Sequence, residues 1–405
     1  MVELENWKIF TIENLTKIFT KQTGFDYTAY IKPTLTREYK KGYIPFIQNK
    51  DFNGKFINYE TDYYIPSNIA TDFPRILLNE KCLLVSISGS VGNVAVFNNL
   101  KTAFIGGAIA IGKFKDKELL DWCMYYLMSR EGQSKLLGNV KAGSHQNLIL
   151  DDLRKIEIPI PPKEKQKAIV KALSDTDELI NSLEKLIAKK EAIKQGTMQQ
   201  LLTGKKRLAG FSREWEEKRL GDIGNPTMCK RIMKYQTSDI GEVPFYKIGT
   251  FGKEADSFIS YALYAEFKNK FSFPKKGDVL ISASGTIGRI VIFDGKASYF
   301  QDSNIVWIDN NEKIVTNKYL SFVYQVTKWT TEDTTIARLY NDNLKNLEIL
   351  VPSTLEEQNA ISQILSDIDN EIKSLKSKLS KAKAIKDGMM SELLTGKTRL
   401  LKEQI

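Results

Sequence analysis

Residues 191–208 read EAIKQGTMQQLLTGKKRL, and residues 383–400 read KAIKDGMMSELLTGKTRL. The two stretches lie 192 residues apart, and the match continues upstream at the same spacing, without a gap, over about forty residues in all. A gapless match of this length indicates an internal duplication. The chain is therefore expected to contain two equivalent halves.

Both stretches belong to predicted long amphipathic helices. In the second helix, apolar residues recur at three- and four-residue steps. They are Leu365, Ile368, Ile372, Leu375, Leu379, Ala382, Met389 and Leu393. The first helix has a matching seam that also carries Thr176, Lys190 and Lys194, which predicts a less regular zipper. A helix of roughly 38 residues is about 57 Å long, and a stripe of that length needs a partner helix. Contacts between the two helices are predicted at Leu183, Ile187, Gly196, Leu375, Leu379 and Gly388.

The ends of both helices carry terminus signals. Pro161 and Pro162 precede the first helix, and Thr354, followed three residues later by glutamate, gives a capping box for the second. Gly204 and Gly396 are the C-cap candidates.

The rest of the chain predicts two globular units that are distant copies of each other. Their clearest shared anchor is a glycine turn, SGSVG at Ser88–Gly92 and SGTIG at Ser284–Gly288, with an apolar strand on each side. Helices are predicted at 117–137 and from 318 to about 329. The class is α+β, with two mixed α/β globular units on two long helices. The predicted segments are 1–160 (first globular unit), 161–205 (first helical segment), 206–352 (second globular unit) and 353–405 (second helical segment).

Chain geometry predicts how the helices pair. The second unit starts where the first helix ends and finishes where the second helix begins. A compact unit of about 145 residues spans only some 35–40 Å, too little to return along about 57 Å of helix. The helices should therefore form an antiparallel coiled coil, giving a molecule with approximate two-fold symmetry.

Composition narrows the class of protein. The formal net charge of +10 favours a polyanionic partner. Three cysteines far apart in sequence fit reduced thiols, and a single histidine offers little material for a metal site. No apolar run approaches the roughly 18 residues of a membrane span, and the first residues do not resemble a secretion signal. A cytoplasmic protein without a membrane partner is expected.

Catalytic signatures are missing from the sequence. Gly396-Lys-Thr398 resembles the end of a phosphate-binding loop, but position 391 is serine where that motif needs glycine. With one histidine, no Ser-His-Asp set can be assembled. The chain is predicted to be non-catalytic and to hold no cofactor or metal.

Polar residues at the glycine turns, and in the loops before the last strand of each unit, are the candidates for DNA contact. A glycine turn lets backbone amides approach phosphates, but it can equally serve only to close a hairpin. The loops hold amides and cations of the types that bind base edges, and they differ between the two units. The candidates are Ser88, Ser90, Asn93, Lys141, Ser144, His145, Gln146, Asn147, Ser284, Thr286, Arg289, Arg338, Tyr340 and Asn341.

Two divergent units alternating with two near-identical helical segments, each closing on Leu-Leu-Thr-Gly, resemble the specificity subunit of type I restriction-modification enzymes. The resemblance spans the whole chain. It implies that each unit is a target recognition domain for one half of a bipartite double-stranded DNA site, and that the helices set the spacer. It also implies that the helices bind two methylation subunits, which recruit restriction subunits. Methyl donor, ATP and magnesium would be used on those partners.

A different class of protein also fits this architecture. A coiled-coil scaffold whose two heads bind carbohydrate or protein would show the same repeat. Salt-sensitive binding to duplex DNA would distinguish the two.

Overall fold

The computed structural model describes residues 6–98, 100–138, 147–329 and 339–398. It divides into two compact units. Unit 1 comprises Met1–Leu183 with Lys378–Ile405, and unit 2 comprises Glu184–Ser377. Each unit therefore takes part of both long helices. The division into four segments at residues 160, 205 and 352 separates helices from units and stays a prediction.

Unit 1 mixes short strands and short helices. Its strands are β1 (Lys8–Thr11), β2 (Thr16–Lys21), β3 (Tyr43–Ile47), β4 (Phe52–Asn53), β5 (Phe56–Ile57), β6 (Tyr64–Pro66), β7 (Leu77–Leu78), β8 (Cys82–Ser86), β9 (Val94–Phe97), β10 (Ala103–Ile105), β11 (Ile109–Phe114) and β12 (Glu157–Ile160). Its helices are α1 (Ile12–Leu15), α2 (Gly24–Asp26), α3 (Ser67–Thr71), α4 (Leu119–Met128), α5 (Arg130–Leu137) and α6 (Leu150–Arg154). The first long helix, α7 (Lys163–Leu201), follows.

Unit 2 contains the corresponding elements. Its strands are β13 (Trp215–Arg219), β14 (Gly224–Thr227), β15 (Val243–Tyr246), β16 (Phe258–Ile259), β17 (Val279–Ser282), β18 (Ile290–Ile292), β19 (Tyr299–Phe300), β20 (Ile305–Asn310) and β21 (Glu348–Pro352). Its helices are α8 (Leu220–Ile223), α9 (Tyr261–Lys270), α10 (Asn317–Val326) and α11 (Asn341–Lys345). The second long helix is α12 (Leu355–Leu393).

The central sheets of the two units have the same strand order. In unit 1 an antiparallel sheet has the order β2-β11-β8-β9, and in unit 2 the matching order is β14-β20-β17-β18. A second sheet in each unit contains one parallel pair, β3 with β10 and β15 with β19. A two-stranded ladder, β1 with β12 or β13 with β21, precedes each long helix. The predicted α+β class and the predicted duplication are confirmed.

The core of each unit includes both long helices. In unit 1, Ile169 and Leu173 of α7 join a buried cluster with Leu393 and Leu394, at and just beyond the end of α12. In unit 2 the roles of the two helices are exchanged. Its buried cluster contains residues from the end of α7 and just beyond it, Met198, Leu201 and Leu202, together with Ile361 and Leu365 near the start of α12. The start of one helix therefore packs against the end of the other in each unit. The helices are antiparallel within each unit, as predicted.

The polar seam residues of α7 all have partners on α12. In unit 1, the Thr176 hydroxyl lies 3.8 Å from the Met389 sulfur. In unit 2, Lys190 pairs with Glu371 at 2.8 Å, and Lys194 with Asp369 at 2.7 Å. Two ion pairs and one hydroxyl–sulfur contact thus replace apolar contacts at the positions where the zipper was expected to be less regular.

The predicted seam contacts divide into two groups. Ile187 and Leu375 are buried, and Leu183 and Leu379 are half-buried, as a helix interface requires. The prediction of close helix approach at Gly196 and Gly388 is wrong. Both glycines are exposed, and a Cβ added to either would meet no atom within 4 Å.

One predicted helix differs from the structure, while the predicted C-caps agree with it. The expected helix at 117–137 is two helices, because Ser129 is extended (φ −68°, ψ 163°) and its hydroxyl caps α5 by accepting a hydrogen bond from Gly132 N at 3.1 Å. A side chain at Gly132 would overlap the backbone of Tyr126. The C-caps are confirmed: Gly204 and Gly396 adopt positive φ of 67° and 71°.

Candidate nucleic-acid interface

A buried serine holds the glycine turn of unit 1 from the inside. Ser86 ends β8, and its hydroxyl donates to Ser90 O at 2.7 Å and accepts from Asn93 N at 2.8 Å. Gly89 and Gly92 have φ of 75° and 87°, in the left-handed region that favours glycine. The backbone of the turn is therefore fixed by contacts that leave Ser90 and Asn93 exposed.

Unit 2 has the same arrangement at the equivalent positions. The buried Ser282 hydroxyl donates to Thr286 O at 2.6 Å and accepts from Arg289 N at 2.8 Å. Gly285 and Gly288 have φ of 64° and 80°. Sequence reasoning missed both serines, although each stands two residues before the first serine of its glycine motif.

The segments that begin at Asn147 in unit 1 and at Leu339 in unit 2 form hydrogen bonds with the chain at the glycine turns. In unit 1, Asn147 forms an antiparallel bridge with Ser88, and Leu148 N donates to Ile87 O at 2.9 Å. In unit 2, Leu339 N donates to Ala283 O at 2.8 Å. The structure thus brings the described members of both predicted groups together at one end of the central sheet of each unit.

The predicted DNA-contacting residues differ in how exposed their side chains are. Ser90, Asn93, Asn147, Thr286, Tyr340 and Asn341 are exposed, and Ser88, Ser284 and Arg289 are half-buried. Lys141, Ser144, His145, Gln146 and Arg338 lie outside the described residues. None of these side chains is tested by a bound ligand, so their role as DNA contacts stays a prediction.

Two of the half-buried candidates are held by the protein. The Ser284 hydroxyl donates to Asn304 Oδ1 at 2.8 Å, in the loop before β20. Arg289 Nη1 donates to Phe251 O at 3.0 Å, which holds the guanidinium beside the turn.

Further polar residues surround the turn of unit 1. A cavity of about 570 Å³ is lined by Ser88, Asn147, Lys21 and Arg154, among others. Arg154 is oriented by Asp151 at 2.6 Å and by Phe19 O at 2.8 Å. The cavity therefore combines two cations with hydroxyl and amide groups, the mixture that binds phosphates and base edges.

A buried ionic cluster fastens unit 1 to its helix pair. The Asp177 carboxylate of α7 accepts from Lys386 of α12 at 2.7 Å, and from the Tyr125 hydroxyl of α4 at 2.7 Å. Lys55, between β4 and β5, lies 3.0 Å away. Burial raises the pKa of Asp177, but hydrogen bonds from Lys386, Tyr125 and Lys55 outweigh it and hold that pKa below 3.8.

The equivalent cluster of unit 2 is smaller. Asp369 pairs with Lys194 at 2.7 Å, and Lys194 also donates to Gln325 Oε1 of α10 at 3.1 Å. The Asp369 side chain is 41% exposed, against 9% for Asp177. The two equivalent aspartates therefore lie in different environments, one buried and one half-exposed.

Two negative observations apply to the described ranges. There, no helix is both long enough and apolar enough to span a bilayer. In the same part of the chain, no group of three or more His, Cys, Asp or Glu side chains could hold a metal ion.

The fold and the duplicated turns agree with the comparison against known families. The model of the type I restriction modification DNA specificity domain matches residues 4–195 and 212–384. The chain therefore belongs to the type I restriction-modification DNA specificity family, and the resemblance drawn from the sequence is confirmed.

Individual relatives carry the same description. A putative type I restriction enzyme specificity subunit from Haemophilus influenzae is 48% identical over 228 residues, which are 55% of this chain and 58% of that protein. The MjaVIII specificity subunit from Methanocaldococcus jannaschii is 26% identical over 411 residues, covering 93% and 92% of the two chains. The solved S subunit from M. genitalium shares the fold, with a TM-score of 0.62, 19% identity and 96% coverage of each chain.

Proposed function

We propose that this chain is the DNA sequence-specificity subunit of a type I restriction-modification complex. Each unit binds one half of a bipartite double-stranded site, and the paired helices set the spacer and dock two methylation subunits. Restriction subunits join through that complex. One observation carries the proposal: the same serine-held turn occurs in both units but presents different side chains.

The difference is clearest just after the turn. Asn93 and Arg289 occupy the same place relative to the serines that hold the backbone, since the N–H of each is bound by the serine hydroxyl. An asparagine side chain both donates and accepts, whereas arginine only donates and prefers guanine edges or phosphates. A common backbone with exchanged hydrogen-bonding groups suits two readers of two different half-sites.

Charge supports a nucleic-acid partner. The net charge of +10 favours contact with phosphates, and phosphate contacts release counterions. Binding of the chain to duplex DNA should therefore weaken steeply as salt increases. A scaffold with heads for carbohydrate or protein would bind no DNA in this titration.

The chemistry is assigned to the partners. The chain itself is proposed to be non-catalytic and cytoplasmic, without a membrane partner, while methyl donor, ATP and magnesium act on the methylation and restriction subunits. Purified chain should show no methyl transfer to DNA or DNA cleavage, and methylation should appear when methylation subunits are added.

Exchange of one unit tests the proposal that each unit binds its own half of the DNA site. Residues 206–352 are replaced by the corresponding segment of a relative, and the methylated motif is mapped in cells that also express the methylation subunits. One half of the motif should change while the other half stays. The reciprocal exchange of residues 1–160 is the matched control, and a change of both halves in either exchange would contradict the proposal.

A further inference from the structure

One edge of the central sheet of unit 2 is open. β18 is the last strand in the order β14-β20-β17-β18, and no described strand pairs with its outer side. Arg289 O accepts from the β17 side of the sheet and Phe293 N donates to it, each at 2.9 Å. Because bonding alternates along an antiparallel strand, the N–H and C=O groups of Ile290 and Ile292 point outward. Ile292 is also 52% exposed, so this edge is accessible.

The equivalent edge in unit 1 is covered by the protein itself. All four residues of β9 are buried, and Val96, the counterpart of Ile292, is 7% exposed. The β4–β5 hairpin places β5 against β9, and Tyr59 packs on Phe97 with ring centroids 5.9 Å apart. In unit 2 the corresponding connection, residues 247–257, contains turns and no strand. Unit 2 therefore exposes an edge that unit 1 covers with an extended segment.

Two cavities flank the open edge, one on each face of the sheet. On the side of α10, a cavity of about 680 Å³ is lined by Ile290, Ile292, Tyr324 and Trp329, among others. On the opposite face, a cavity of about 370 Å³ is lined by Val291 and Phe293 with the rings of Tyr246, Phe251 and Phe300. Successive side chains of a strand point to opposite faces of a sheet. A strand added beside β18 would therefore place its side chains alternately in the two cavities.

The charges at the smaller cavity indicate the chemistry of its ligand. Lys253 and Lys296 line this cavity and are exposed, and Asp294 lies 3.5 Å from Lys296. The lining thus holds two ammonium groups and one carboxylate. A ligand with a carboxylate of its own would complement this charge.

The position of the larger cavity indicates where the ligand comes from. Its lining includes Gln195 of α7, so an occupant lies beside the helix on which the proposed function places a methylation subunit. Unpaired strand edges bind extended segments of other chains through main-chain hydrogen bonds, with pockets for alternate side chains.

We propose that the open edge of β18 binds an extended segment of a methylation subunit, which adds a fifth strand to the central sheet of unit 2. The segment has apolar side chains at alternate positions and a carboxylate near Lys253 and Lys296. This assignment rests on the proposed function, which supplies the partner. Since unit 1 covers the same edge with its own chain, the two methylation subunits dock in different ways.

Hydrogen exchange at single-residue resolution tests this in the full chain. In the free chain the amides of Ile290 and Ile292 should exchange rapidly, while the amide of Val291, which faces β17, should be protected. Adding methylation subunits should slow both isoleucine amides by roughly 10-fold or more. The amides of Val94 and Val96 in unit 1 are the internal control and should not change.

Variants of the edge test the same contact by affinity. Ile292→Pro removes one outward N–H and keeps the bonds to β17, since proline is tolerated on an edge strand whose N–H faces solvent. Its affinity for methylation subunits should fall roughly 2- to 10-fold. Ile292→Val keeps the N–H and is the matched control. Lys253→Glu reverses an exposed charge without touching the sheet, and should also weaken binding.

The outcomes separate the possible occupants of the edge. A complex that methylates its motif while both isoleucine amides exchange as fast as in the free chain would overturn the inference. Amides that are already protected in the dilute free chain would also overturn it, because the chain itself would then cover the edge. Protection that rises with the concentration of the chain alone would identify a second copy, and protection by duplex DNA alone would identify DNA; either result contradicts the inference. Purified subunits that form no complex would instead contradict the proposed function.

Discussion

Replacing Asp177 with alanine is expected to destabilise unit 1 far more than replacing Asp369 with alanine destabilises unit 2. The two aspartates occupy equivalent positions in the repeat, and each pairs with an equivalent lysine at 2.7 Å. They differ in burial and in the number of groups that depend on them. Because both aspartates make the same lysine contact, the difference between the two variants measures the effect of burial and of the additional partners.

The magnitudes follow from the partners left behind. Without Asp177, the ammonium groups of Lys386 and Lys55, whose side chains are 17% and 12% exposed, lose their shared counter-charge. Removing one member of a buried ion pair costs about 3–5 kcal/mol. Without Asp369, Lys194 still donates to Gln325, and because the Asp369 carboxylate is 41% exposed the pair should contribute only about 1 kcal/mol.

Calorimetry of the purified variants provides the assay. For a unit of about 200 residues, 1 kcal/mol shifts the Tm by roughly 2–4 °C, so Asp177→Ala should lower the transition of unit 1 by roughly 6–20 °C. Hydrogen exchange should localise the effect to α4, since Tyr125 of that helix binds the carboxylate. Equal losses in the two variants, or a loss below about 1 kcal/mol for Asp177→Ala, would refute the argument.

The lowered pKa of Asp177 also predicts that its contribution to stability depends on pH. The pKa of Asp177 is held below 3.8, so the unfolded chain takes up the proton first as pH falls. The stability that this carboxylate contributes is fully present well above pH 3.8 and is lost as pH falls through its lower folded pKa. The Tm difference between wild type and Asp177→Ala should therefore shrink below about pH 4, as measured in a series of acidic buffers.

Three further predictions concern the glycines and the helices. Gly196→Ala and Gly388→Ala should each stabilise the isolated chain by about 1 kcal/mol, because both sites are exposed helix interiors with open space; a lower Tm would contradict this. Gly288→Ala should lower the Tm of unit 2 by a few degrees, because φ is 80° and an indole lies against this glycine; an unchanged Tm would show that the turn tolerates a side chain. Inserting four residues after both Leu183 and Leu375 adds about 6 Å of helix, so the methylated motif should gain one or two spacer base pairs at roughly 3.4 Å each. An unchanged spacer in an active variant would refute the role of the helices.

Periodicity and repetition determined the parts of the fold that depend on local pattern. The gapless repeat predicted both long helices, and their apolar seams predicted burial at Ile187 and Leu375. The glycine turns were visible as strand-turn-strand patterns, because a backbone in the left-handed region favours glycine, which has no Cβ. The family itself could be named from the repeated Leu-Leu-Thr-Gly ends.

Tertiary structure decided what surrounds each repeated residue. Identical aspartates at 177 and 369 differ in burial because a tyrosine and a lysine from distant segments reach only the first. Gly196 and Gly388 face open space, which no helical pattern reveals, because the side of a helix that a neighbour covers depends on packing. Asn49 reaches the Ser88 turn from a segment about forty residues earlier in the chain. Sequence repetition produces equivalent backbones, whereas non-local contacts decide which side chains are buried and which are paired.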